Sequence, residues 1–242
     1  PADIAAANNV VSLKILTSKF ATGNREADDN LKDTSGTCVF MGSLTNCSVN
    51  MDTAPDSITF IHCNTLGPFK LSPAQTISYK GPVEASLIAR QIADLMGYAF
   101  VNDGVVTVLQ NPYFYGDLTR QLFDLSHQGL FNVSVENKTL TIWPLGQALS
   151  KAGAAGYTVV SPATGLIGYP KLNGVGIVLR TIYNPSIRYG DHISVESIMP
   201  NATGTYNVSA ITHHLSEDVP GGPWETEIQA TRYGDPIGLT GL

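Results

Sequence analysis

The residues best suited to chemistry cluster in the last quarter of the chain: Asp191-His192, His213-His214, Glu217-Asp218 and the pair Glu225/Glu227. A glycosidase needs two carboxylates facing each other across a cleft. Glu217-Asp218 instead sits in a hairpin loop beside Pro220-Gly-Gly, and Glu225 and Glu227 alternate with Thr226 and Ile228 as on the solvated face of a strand. A metal would need His192, Asp191 and a histidine of the 213-214 pair to converge, or His62-Cys63 with further ligands. Neighbours on a strand point to opposite faces, so His213-His214 gives one ligand to any one site. No Cys-x-x-Cys or His-Glu-x-x-His spacing supplies the rest. Threefold symmetry would be one way to gather one such histidine per copy on an axis. The expectation is that one histidine of the pair is buried and hydrogen-bonded and the other lies at the surface or an interface.

Nucleophilic and nucleotide chemistry fare no better. There is no Gly-x-Ser-x-Gly elbow, and Gly174-Val-Gly176 lacks a third glycine and enters a strand rather than a helix. Tyr113, Phe114 and Tyr115 could stack sugars or bases, or pack the joint between two helical units. No catalytic, cofactor-binding or metal-binding residue is therefore assigned.

The bulk composition agrees with a non-catalytic part. Charged residues make up 14% of the 242 residues, against roughly 25% in ordinary soluble proteins. Low charge with 23 Gly and 14 Pro suits a strand-and-turn protein, or one that hides its surface in an assembly. A net charge of −6, with Lys and Arg scattered singly, argues against a general nucleic-acid binder. No apolar run is long enough to span a bilayer, and no signal segment opens the sequence. The five Asn-x-Ser/Thr sequons, at Asn46, Asn132, Asn137, Asn201 and Asn207, are read as chance. Cys38, Cys47 and Cys63 fit three reduced thiols, with a Cys38–Cys47 bridge across a hairpin as the alternative.

The elements that would position these residues fall into stretches. Residues 1–75 read as β, with strands from Val10, Thr37 and Ser57, a Pro55-Asp56 turn and an acidic surface loop over 23–33. The chain opens inside a β pattern without Met, so either an initiator Met before Pro1 was removed or, the favoured expectation, this β-domain lacks an N-terminal portion. Residues 76–146 hold an internal duplication of helix and hairpin, with a shift of 34 residues between the strands from Val105 and Thr139. The first helix carries Leu87, Ile88, Ile92, Leu95 and Met96 on one stripe and stops at Gly97. A hairpin turning at Asn102-Asp-Gly104 then runs out through Val105–Leu109. The second helix is capped by Asp117, carries Leu118, Leu122 and Leu125, and stops at Gly129; its hairpin turns at residues 136–138 and ends at Trp143. Both helices should cover one face of a sheet and share one core with Trp143. Residues 147–164 read as linker, 165–234 as a small β-barrel and 235–242 as a tail. The fold class is α+β, mostly β: two barrel-like domains flanking a duplicated helix–hairpin module.

Four blocks carry a resemblance: Leu166-Ile-Gly-Tyr-Pro170, Ile182-Tyr-Asn-Pro-Ser-Ile-Arg-Tyr-Gly-Asp191, Gly204-Thr-Tyr-Asn-Val-Ser-Ala-Ile-Thr-His-His214 and Gly222-Pro-Trp-Glu-Thr226. Their order and spacing resemble the C-terminal half of phage tail baseplate hub proteins. The segments 36–46, 50–60, 111–116 and 140–144 are similar to further segments of the same family, so the resemblance runs from residue 37 onward. The acidic insert at 23–33 and the missing N-terminal portion depart from the pattern. The resemblance implies a structural virion protein made in the host cytoplasm. Three copies would form a pseudo-sixfold, channel-bearing collar between tail tube and spike, with two barrels per chain supplying the symmetry. DNA would pass during ejection without specific binding, no cofactor would be held and no residue would perform chemistry. A tail-associated peptidoglycan hydrolase or peptidase, and a receptor- or glycan-binding tail module, are the alternatives.

Overall fold

Alternating apolar and polar residues run through both ends of the chain, and a helical period runs through its middle; the computed structural model follows this division. It describes residues 10–15, 37–52, 58–149, 157–174, 176–216 and 220–233. The fold is mostly β with a small helical share.

At the N-terminal end, β1 (Val10–Ile15), β2 (Thr37–Asn50) and β3 (Ile58–Asn64) form an antiparallel sheet in that order. β2 is one unbroken strand through the positions of Cys38 and Cys47. Nine residues of extended chain separate them by about 30 Å, so no hairpin can bring them together. Cys47 and Cys63 are free thiols. The all-β reading of residues 1–75 missed one short helix, α1 (Gly67–Leu71), whose Phe69 meets Tyr98 edge-on at 5.4 Å. The 23–33 loop, the Pro55-Asp56 turn and the 235–242 tail lie outside the described residues.

Short strands β4 (Ile77–Ser78) and β5 (Pro82–Glu84) lead into α2 (Ala85–Met96). Gly97 closes the helix in the left-handed conformation, as the sequence required. The buried stripe of α2 is Ala85, Ile88, Ala89, Ile92, Ala93 and Met96, at helical spacing. Leu87 and Leu95 are not in it: they are 50% and 52% exposed. Size is the reason. α2 meets α3 (Leu118–Gly129) through Ala85, where a Cβ built on Gly129 would lie 3.5 Å from Ala85 Cβ, so a larger side chain there would hold the helices apart. In α3 the predicted residues Leu118, Leu122 and Leu125 are buried, and Asp117 caps the helix by accepting from Arg120 N–H at 3.0 Å.

The duplication is realised only in part. β9 (Phe131–Glu136) and β10 (Thr139–Pro144) form the second hairpin, turning through Asn137 and Lys138, both at positive φ. The first hairpin does not form. β6 (Ala99–Asn102) instead joins β10 in parallel, and β7 (Val108–Gln110) pairs with β5. The Asn102 side chain donates to Val105 O and accepts from Val105 N–H, so the groups that would fold this arm back onto β6 are already occupied. β8 (Tyr113–Phe114) pairs with β4. One core gathers Ile88, Ile92, Leu122 and Leu125 with Phe131, Leu140 and Ile142 of the sheet. Trp143 is buried but faces the other way: it meets Tyr189 at 5.2 Å and lies so close to Gly190 that a Cβ there would come within 2.8 Å of the indole. It joins the helical module to the last sheet rather than completing the helical core.

That last sheet is a curled half-barrel of six strands. They are β11 (Thr158–Val160), β12 (Leu166–Leu172), β13 (Gly176–Ile182), β14 (His192–Val195), β15 (Gly204–Leu215) and β16 (Trp224–Arg232), ordered β11-β14-β15-β16-β13-β12. Part of the stretch read as linker is thus strand: β11 runs parallel to β14 at the sheet's edge. Ile177, Leu179, Ile193, Val195, Val208 and Ile228 fill its concave core.

Candidate functional site

β15 and β16 place the histidine pair. A bulge between Val208 and Ala210 gives β15 one extra residue opposite β16. Tyr206 and Val208 point into the sheet before the bulge, and Ile211 and His213 point the same way after it, which leaves His214 exposed. His213 is half-buried. Its Nδ1 lies 2.9 Å from Thr226 Oγ1, and its ring meets Tyr183 edge-on at 5.2 Å. Burial, then the neighbouring His214, pulls its pKa below the usual imidazole value.

A hydroxyl paired with an imidazole is the arrangement of an activated nucleophile. Here Thr226 has no exposed surface, and its Oγ1 also accepts from Asn184 N–H at 3.2 Å. Buried Thr226 Oγ1 thus bridges Asn184 N–H and His213 Nδ1, so the pair ties the 184 turn to the sheet.

The other candidates do not gather around it. Asp191 accepts from Arg188 N–H at 2.7 Å; burial raises its pKa, opposed in part by that bond and by the Arg188 charge. His192 is wedged between Tyr157 and Tyr233, with ring centroids 5.5 Å and 4.6 Å away, and burial lowers its pKa against a smaller opposing contribution from Asn207. Glu225 and Glu227 flank buried Thr226 and both face Arg180, at 3.9 Å and 3.3 Å. They share a cation on one strand face rather than opposing each other across a cleft. His62 is exposed on β3 beside half-buried Cys63. Glu217 and Asp218 lie outside the described residues. Gly176 starts β13, where a Cβ would collide with the Ala230 carbonyl. Among the described residues no three His, Cys, Asp or Glu side chains converge as metal ligands would. No helix among them is long and apolar enough to cross a membrane.

Two concavities lie where the β1–β3 sheet, the β9–β10 hairpin and the last sheet meet. One, of about 450 Å³, is lined by Phe40, Met41 and Thr65, by the β9–β10 turn, and by Ile187, Tyr189, Ile211 and His213. A second, of about 430 Å³, shares Thr65, Val135 and Tyr189 with it and reaches Leu122, Phe123 and Phe131. Both are seams between packed elements, and the ion pair Arg188–Glu136 at 3.5 Å spans module and sheet across the first.

The Tyr113-Phe114-Tyr115 triplet divides. Phe114 enters the core, while Tyr113 and Tyr115 stay at the surface. Sequence reasoning passed over Arg120, whose guanidinium stands 5.0 Å over the Tyr115 ring. The available signal was Gly116 four residues before it, since a positive φ there of +97 marks a turn that leaves room for a long side chain.

The fold of this helical sheet module and curled half-barrel is similar to that of solved tail proteins. A tail protein from Neisseria meningitidis superposes with a TM-score of 0.59 over 83% of this chain and 82% of its own, at 10% identity. A 43 kDa tail protein of prophage MuSo2 from Shewanella oneidensis gives 0.57 over 82% and 77%, also at 10% identity. An E. coli component of the type VI secretion system, described as structurally similar to the T4 tail proteins gp27 and gp5, gives 0.55 over 80% and 60%, at 11% identity. At such identities the likeness is one of fold alone. Among curated proteins none matches the sequence. The family model of the baseplate hub gp41 does match, over residues 14–220, and the chain belongs to that family.

Proposed function

We propose that the chain is a non-enzymatic structural protein of the tail tip. Three copies close into a ring that binds the tail tube on one face and the spike on the other. Within the ring each chain contributes two barrel-like sheets, one from each end of the sequence. The channel passes DNA during ejection without base-specific contacts, in keeping with the net negative charge.

The observation that carries this reading is the β2–β3 ribbon. Residues 37–51 and 58–69 hold no Asp, Glu, Lys or Arg. Register places Cys47 and Val49 beside Ile61 and Thr59 on one face, with Val49 and Ile61 53% and 57% exposed. Phe60 and Ile58 are exposed on the other. A ribbon without charge and with apolar side chains open on both faces has the composition of an interface core rather than of a solvated surface. Joining tube to spike needs broad contact, which this supplies.

The test is native mass measurement of the full-length chain reconstituted with its tube and spike partners. A trimer is expected. A monomer at every concentration would sink the proposal.

A further inference from the structure

A ring-forming role leaves the surface built around Tyr113 and Tyr115 without a use. Tyr113 in β8 and Tyr115 just beyond it point outward on either side of Phe114, which is anchored in the core at 1% exposure. Tyr113 and Tyr115 are 61% and 51% exposed, and their rings lie 6.1 Å apart at 35°. Ser78, opposite Tyr113 in the β4–β8 register, is also exposed.

Arg120 fixes one end of this surface. Its guanidinium stacks over Tyr115, donates to the Tyr115 hydroxyl at 3.3 Å, and is steadied by Asp124 at 3.7 Å. A Cβ at Gly116 would lie 3.1 Å from Arg120 Cδ, so glycine both makes the turn and admits the arginine. Beside it opens a hollow lined by Lys70, Asp117, Thr119, Arg120, Phe123 and Asp124.

We propose that this surface binds an extended chain of neutral pyranose sugars. Aromatic faces take the C–H face of a sugar ring, while sugar hydroxyls need donors and acceptors close by. Both are present: two rings spaced on the scale of successive sugars, with a serine, a guanidinium and carboxylates around them. The hollow's two cations and two carboxylates balance, which suits a neutral ligand. A nucleic-acid strand would instead call for a positive groove. Tyrosines held by Phe114 and Arg120 lose little freedom on binding. The assignment does not depend on trimer formation.

The experiment titrates the full-length chain with chitotetraose and, separately, with maltohexaose. Binding is followed by calorimetry and by the aromatic NMR signals of the tyrosines. Millimolar or tighter binding of at least one sugar is expected, with shifts at tyrosine rings. Tyr115→Ala and Tyr113→Ala should each weaken it by at least about tenfold, whereas Tyr115→Phe, which keeps the ring, should change it less than about threefold. Binding of chitotetraose alone would assign N-acetylated chains of the cell-wall type, and of maltohexaose alone plain hexose chains. Absence of binding by both sugars at millimolar concentration overturns the proposal. So does binding that survives the double Tyr113→Ala/Tyr115→Ala variant, or a tyrosine response confined to a single-stranded oligonucleotide.

Discussion

The β2–β3 ribbon and the β13–β16 pair are written in the same alphabet and end in opposite environments. In β13 and β16 every second residue is buried: Ile177, Leu179 and Thr181 on one strand, Thr226, Ile228 and Ala230 on the other. In β3, Ile58, Phe60 and Ile61 are all exposed. A period of two states which side chains share a face; it does not state whether anything lies against that face. β13 and β16 are both interior strands of a six-stranded sheet that curls over its own apolar side, whereas β3 is the edge of a three-stranded one.

The sharpest way to break this comparison is a pair of truncations. Ile228→Ala leaves a cavity in a closed core and should cost about 2–5 kcal/mol in denaturant unfolding of the chain. Ile61→Ala should alter the stability of the isolated chain by no more than about 0.5 kcal/mol, yet weaken its self-association. Equal costs would mean that the ribbon is covered within one chain.

A second pair repeats the contrast on one helix. Ile92 has no exposed surface and Leu95 is half exposed. Ile92→Ala should cost about 2–5 kcal/mol and Leu95→Ala less than about 1 kcal/mol, measured by the same unfolding curves. A larger loss at Leu95 would show that hydrophobicity, rather than the small-residue face of α2, sets its orientation.

The smallest expected effect is electrostatic. Burial depresses the pKa of His213 and His192, so the unfolded chain takes up their protons first. Stability is therefore full above about pH 6.5 and falls as pH drops toward the lowered folded values. Asp191, with a raised pKa, acts in the opposite sense near the carboxylate range. His213→Gln should flatten the decline of the urea midpoint between about pH 7 and 5. An unchanged slope would show that His213 is as solvated as His214.

Much of this protein was legible in its sequence, because local chemistry decided it. The caps at Asp117 and Gly97 depend on one residue and its own backbone, and the tight turn at Asn137-Lys138 likewise. The four strands entered at residues 176, 192, 204 and 224 follow from alternation and Gly/Pro punctuation, and the blocks around them carry the family resemblance. Tertiary structure decided the rest. The choice of alanines over leucines for the buried face of α2 depends on how near α3 comes. β6 joins β10 in parallel because Asn102 captures the backbone of Val105, a competition between two partners that propensity does not rank. The sequence required His213 and His214 to face opposite ways, but which one turns inward was settled by a single extra residue in β15, since one inserted position reverses every side chain beyond it.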